Sequence, residues 1–210
     1  MMRSMLKVCI LLLLCSQSVC AQEGKDKWVE RRTTADGDKI YVRRSKENNL
    51  YDVRIEADLP GTIGTLYSVL KEVDKFPQWA YGVKTARIVT WKGSNGLVYY
   101  AEYSVPWPLS NRDEYAEVKF TIDTTVKHIA TVITTTQKDY APEKKGLVRL
   151  TRSKSVWEIA TIAPNKIHLS YILEIDPGGS IPSWIINLFI TKAPADTFKQ
   201  LRKRMIEKSK

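Results

Sequence analysis

Arg112 and Glu114 stand two residues apart in "NRDEYAEVKFTI", with Ala116, Val118, Phe120 and Ile122 continuing the same alternation. In a strand, side chains alternate between faces, so this set shares one apolar face. Asp113, Tyr115, Glu117 and Lys119 point to the other. A guanidinium on an apolar face can hold a polar headgroup, a hydroxyl or a carboxylate through forked hydrogen bonds. It can equally serve a structural ion pair at the loop exit. A buried guanidinium needs a carboxylate. Glu114 has the right parity. Glu102 does not, because "LVYYAEYSV" turns Leu97, Tyr99, Ala101, Tyr103 and Val105 inward. The partner of Arg112 is therefore open, and Tyr99 and Tyr103 join it as candidate binding residues.

Signs of reaction chemistry are sparse. His128 and His168 sit in strand patterns without ligand-like spacing. No nucleophile elbow, paired metal motif or phosphate loop is present, and Asp123 and Asp139 read as solvated carboxylates near turns. The expectation is a binding protein with no catalytic residue, metal or cofactor.

These residues need a sheet to position them. "TTADGDKIYVRR" carries an Asp-Gly hairpin signal near Gly37. "NLYDVRIEADL" alternates as a half-buried strand. Ile63, Leu66, Val69, Leu70 and Val73 recur at helical spacing, and that helix should end before Pro77. Strands are expected over Thr85–Trp91, Gly96–Val105, Asp113–Asp123, His128–Thr136, Leu147–Thr161 and Lys166–Asp176, joined by short turns as an antiparallel meander. A helix of about 25 residues, about 40 Å at 1.5 Å per residue, follows from Ser180. Trp184, Leu188, Thr191, Ala195, Phe198, Leu201 and Met205 form its apolar stripe, widened by Ile181, Ile185 and Phe189. Pro194 should kink or divide it. The architecture is α+β: a curved antiparallel sheet gripping a C-terminal helix, with space between them for an apolar ligand.

The first residues read as a leader. Arg3 and Lys7 precede the short apolar run "VCILLLLC", and Val19-Cys20-Ala21 is a small-residue cleavage site before Gln22. Residues 1–21 are expected to be a cleaved signal peptide and 22–210 a single domain. A lipidated Cys20 is the lesser alternative. Cys9, Cys15 and Cys20 all lie in the leader, so the mature chain has no disulfide or thiol chemistry. Its loss takes the net charge from +10 to +8. A basic surface favours nucleic acid or acidic membranes, and export argues against the former.

Two stretches carry a family resemblance. "VPWPLSNRDEY" (105–115) and "DPGGSIPSWIINLF" (176–189) resemble signatures of the START domain, the lipid-transfer module related to the steroidogenic acute regulatory protein. "LKEVDKFPQWAYGV" and the terminal "FKQLRKRM" add to it, over about Trp28 to Glu207. The resemblance implies a helix-grip fold around an apolar tunnel that binds one sterol, phospholipid or other lipid. It places Pro106, Trp107, Pro108 and Leu109 in a gating loop, with Trp107 and Leu109 against Trp184, Ile185 and Leu188 of the roof. In animal sterol-binding members an arginine at the place of Arg112 lies inside the cavity with a carboxylate partner. The wider helix-grip group also includes cyclases, aromatases and hydrolases. Tyr99, Tyr103 and Arg112 could line such a reactive pocket, but no acid/base pair accompanies them. Lys199, Arg202, Lys203 and Arg204 could touch an anionic membrane surface, or simply complement the helix dipole. A monomer, exported by a bacterium to the periplasm or beyond, is the expectation.

Overall fold

The computed structural model describes residues 27–46, 50–123, 129–178, 181–182, 185 and 188–209. Of the expected site residues, Trp184 and the side chain of Leu188 lie outside that set, as do residues 1–26, His128 and Ser180.

Three strands open the chain: β1 (Val29–Thr33), β2 (Lys39–Arg44) and β3 (Tyr51–Pro60). Two short helices follow, α1 (Ile63–Lys71) and α2 (Phe76–Trp79), with a 3₁₀ turn at Val73–Lys75 between them. Thr62 caps α1 by accepting from Thr65 N at 3.1 Å, which satisfies one of the helix's unpaired N–H groups. The helix ends before Pro77, as expected. It stops at Lys71, and Pro77 opens α2 instead, where its missing N–H costs nothing.

The remaining strands are β4 (Val83–Trp91), β5 (Gly96–Tyr103), β6 (Asn111–Asp123), β7 (Ile129–Thr136), β8 (Leu147–Arg149), β9 (Arg152–Ala163) and β10 (Lys166–Asp176). The sheet has ten strands in the order β1-β2-β3-β10-β9-β7-β6-β5-β4, with β8 attached to β6. The expected single strand over Leu147–Thr161 is thus two. Its first piece, β8, pairs parallel to β6 at Asn111–Asp113, the one parallel pairing among the described strands, and β3 leaves the meander as well by pairing with β10.

Much of the inward set on the concave face is buried: Val53, Ile55, Ala57 and Leu59 on β3, Trp157 and Ile159 on β9, Ile167 and Leu169 on β10. Ile122, of inward parity near the end of β6, is exposed. Against this face lies α3 (Ala193–Lys208), burying Phe198, Leu201 and Met205. A π-helical turn at Leu188–Lys192 precedes it. The break falls where Pro194 lacks an N–H and its ring crowds the carbonyl of Ile190, so the chain widens before the α-helix begins. The α-helical part is therefore 16 residues, set off from the preceding turn next to Pro194, where a kink or division was expected. Gly61, at the end of β3, has φ +104 and sits so close to α3 that a Cβ would lie 3.0 Å from the Met205 side chain. Glycine alone suits both the left-handed backbone and that approach.

Ion pairs fasten α3 to the body. Arg202 pairs with Asp38 and donates to the Asp58 carbonyl. Arg204 pairs with Glu72 at 2.8 Å, joined there by Lys208.

The convex face is not uniformly solvated. Asp113 and Tyr115 point outward as parity requires, yet both are buried. The segment between β7 and β8, together with β8 itself, covers them: Tyr140 of the segment stacks on Tyr115 at 5.0 Å and Arg149 of β8 forms a bidentate pair with Asp113 at 2.8 and 3.1 Å.

Candidate functional site

Between the sheet and α3 lies a cavity of about 300 Å³. That is at the lower end of the roughly 300–1,000 Å³ usual for small-molecule sites. Its wall is mostly apolar: Val53 and Ile55 on β3, Trp79 on α2, Trp157 on β9, Tyr171 on β10. Ile185, Ile190 and Phe198 close it from above. Phe198 stacks on Trp157 with ring centroids 6.1 Å apart, so α3 and the sheet share an aromatic floor and roof.

The charged groups of the lining lie on β6, beside the phenols of β5. Tyr99, Tyr103, Arg112 and Glu114 all line the cavity, as their parity requires. Glu114 is buried, and burial pushes its carboxyl above the ordinary value of 4.5. Three hydroxyls donate to it: Tyr99 to Oε1 at 3.2 Å, Tyr103 to the same oxygen, and Thr136 to Oε2 at 3.1 Å. Burial and the neighbouring Glu114 also push the Tyr99 and Tyr103 phenols well above their usual range. Thr136, a member of this cluster, is invisible in the sequence because its strand neighbour across β6 depends on the β6–β7 register.

Arg112 is buried and lies on the same face, but it does not pair with Glu114. Its guanidinium donates to the backbone carbonyls of Ser110 and, at 3.4 Å, Pro177. Burial lowers its pKa. The head is thus held at the cavity rim by backbone, with donor capacity left over.

The loop 104–110 differs in part from expectation. Leu109 lines the cavity, as do Ser104 and Val105. Trp107 does not: it is 88% exposed. Asn111 accepts from Val105 N at 3.1 Å and Leu109 N donates to the Pro106 carbonyl at 3.1 Å. These bonds close a tight turn whose tip is Trp107-Pro108, so the indole is carried away from the roof. Of the four expected membrane-contact residues, Lys199 and Lys203 are exposed. Arg202 and Arg204 are committed to ion pairs with Asp38 and Glu72. His168 bridges Glu56 and Asp58 on the outer face, away from the cavity.

A mostly apolar space between a curved sheet and the helix it grips defines the helix-grip class. Comparison with known proteins makes the assignment specific. The family model "START domain" matches residues 13–210, and the chain belongs to the START-domain family. It is 27% identical to an uncharacterised protein of Pseudomonas aeruginosa over 170 residues, covering 80% of this chain and 81% of that one. It is 29% identical to mouse phosphatidylcholine transfer protein over 156 residues, 73% of this chain and 72% of the other. Among solved structures, a STAR-related lipid transfer protein fragment from Xanthomonas axonopodis is 30% identical with a TM-score of 0.77, covering 86% of this chain and 99% of that one. Human StAR-related lipid transfer protein 5, at 18% identity, shares the fold with a TM-score of 0.75 over 88% of this chain and 89% of that one.

Proposed function

We propose that this protein binds and transfers one hydrophobic ligand, a lipid or sterol-like molecule, without chemical change. The observation that carries this is the largely apolar cavity whose charged groups, Arg112 and Glu114, lie together on β6. Each ligand methylene withdrawn from water contributes about 0.8 kcal/mol, so an apolar body supplies the affinity. Arg112 orients the ligand by taking its anionic or polar group. The 106–111 loop and the C-terminal helical segment form the gate, with Leu109 and Ile185 as cavity-facing contacts. Lipid-transfer relatives support the reading, and cleavage after Ala21 with export as a monomer completes it.

The test is the mass of the domain purified without detergent, followed by organic extraction. A stoichiometric lipid-sized adduct, recovered unchanged, is expected. Arg112→Leu should weaken retention about 10- to 150-fold, since a hydrogen bond to a charged group contributes about 1.5–3 kcal/mol. A clean unliganded mass after exposure to a broad lipid extract, or recovery of a converted product, would overturn the carrier reading.

Transfer also requires contact with a bilayer. Trp107, exposed on a loop whose flanking residues line the cavity, has the amphipathic ring that settles at the headgroup level. Trp107→Ala should slow transfer between anionic vesicles severalfold while leaving the bound lipid in place. An unchanged rate would remove the indole from the docking surface.

A further inference from the structure

Glu114 has no evident task in a purely apolar carrier. It is a carboxyl in the cavity wall, and an unpaired buried charge is expensive. The groups that act on it are the phenols of Tyr99 and Tyr103, the Thr136 hydroxyl and the like charge of Asp113 behind the strand. Tyr171, on β10, faces the same space. Arg112, the nearest cation on its own strand, is turned to the carbonyls of Ser110 and Pro177. The three hydroxyls, however, all donate toward the carboxyl oxygens. Such donors favour the ionised form. Burial acts the other way and raises the pKa of Glu114, so the wall offers a carboxyl whose oxygens are already aimed by three donors and whose charge a bound cation would stabilise. No described side chain forms an ion pair with it.

We infer that Glu114, held by Tyr99, Tyr103 and Thr136, is a subsite for the ammonium of a ligand that bears an N–H-donating amine beside an anionic group. The inference rests on the carrier reading and deepens it: the anionic group meets Arg112. The two residues lie on one face of β6, about 6.6 Å apart at 3.3 Å per strand residue, a span suited to the two ends of a zwitterionic headgroup. The rings of Trp157 and Tyr171 line the same space, and aromatic faces attract cations. A primary ammonium offers hydrogens to the carboxylate. A trimethylated one offers none and is bulkier. A ligand hydroxyl could hydrogen-bond there but would leave the carboxyl's charge uncompensated.

The experiment titrates the full-length mature protein with single-chain lysophospholipids of one acyl length, below their micelle concentration. The headgroups are ethanolamine, its mono-, di- and trimethylated forms, and glycerol. Wild type should bind the ethanolamine form about tenfold or more tighter than the trimethyl form, with a graded loss between them. Glu114→Gln should abolish the preference while Arg112 still holds the phosphate. The wild-type series stands even if that variant folds poorly. Equal or tighter binding of the trimethyl or glycerol form by wild type overturns the ammonium subsite. So does a preference that survives intact in folded Glu114→Gln. If these lipids fail but another lipid class is carried, the subsite falls and the carrier stands. If no lipid of any class binds, both fall.

Discussion

Arg149→Ala is expected to destabilise the protein by about 3–5 kcal/mol, the usual consequence of stranding a buried charge. Arg149 and Asp113 have side chains only 2% and 1% exposed. Their contact is bidentate, at 2.8 and 3.1 Å, and the rest of the guanidinium serves the covering loop. It donates to the carbonyls of Lys138, Ala141 and Pro142 at 3.2, 2.9 and 3.2 Å. It also lies 5.1 Å from the Tyr115 ring. Alanine would leave the Asp113 carboxylate buried without a cation and three carbonyls without a donor. Arg149→Lys should rescue little, because an ammonium cannot reproduce the planar fork. Asp113→Ala should be comparably harmful, and the double variant should lose less than the sum of the two, since the uncompensated charge is then gone. Urea unfolding measures all four. A loss below about 1 kcal/mol, the scale of a surface pair, would mean that the pair does not organise this face. The loss would reach the site as well. Arg149 ends β8, which lies beside Asn111–Asp113, and the next residue, Leu150, donates to the Asp113 carbonyl at 2.9 Å and lines the cavity.

Phe198→Ala should cost a similar amount, about 3–5 kcal/mol in the unliganded protein. Phe198 is buried, stacks on Trp157, and meets Tyr171 at 5.7 Å. Its ring is both core and cavity roof. Truncation removes apolar contact and adds its volume to a cavity already about 300 Å³. Ordinary core cavities remain empty, but this one is open to a ligand. A bulkier lipid should therefore recover part of the loss, and the variant should shift its preference toward larger ligands. Unfolding with and without bound lipid, together with a size series of ligands, makes the comparison. Equal losses in both states with unchanged preference would place Phe198 in the core alone, outside the ligand's reach.

Much of the cavity wall was legible in the sequence because strand side chains alternate strictly. Tyr99, Tyr103, Arg112 and Glu114 could be assigned to one face from parity alone, and they line the cavity together. The stripe Ala195, Phe198, Leu201 and Met205 follows helical spacing and is buried as a set. Local turn chemistry likewise marked most strand ends.

What escaped depends on contacts between residues far apart in the chain. Parity says that Asp113 faces away from the cavity, but not that β8 and the loop before it return to bury it. The division of Leu147–Thr161 arises from parallel pairing of β8 with β6, which leaves no local periodic mark. Trp107 looks like an apolar contact by type. Its exposure is set by the Asn111 side chain and the Pro106–Leu109 turn, which aim the loop's tip outward. Arg202 and Arg204 read as a free basic face until Asp38 and Glu72, from the other end of the chain, meet them. Glu114 shows the division most clearly. Sequence placed it beside Arg112 as a possible partner. Only the packed sheet brought Tyr99, Tyr103 and Thr136 around it and turned Arg112 elsewhere. Alternation within a strand is a local rule, whereas hydrogen-bond partners are chosen by register and packing across the whole sheet.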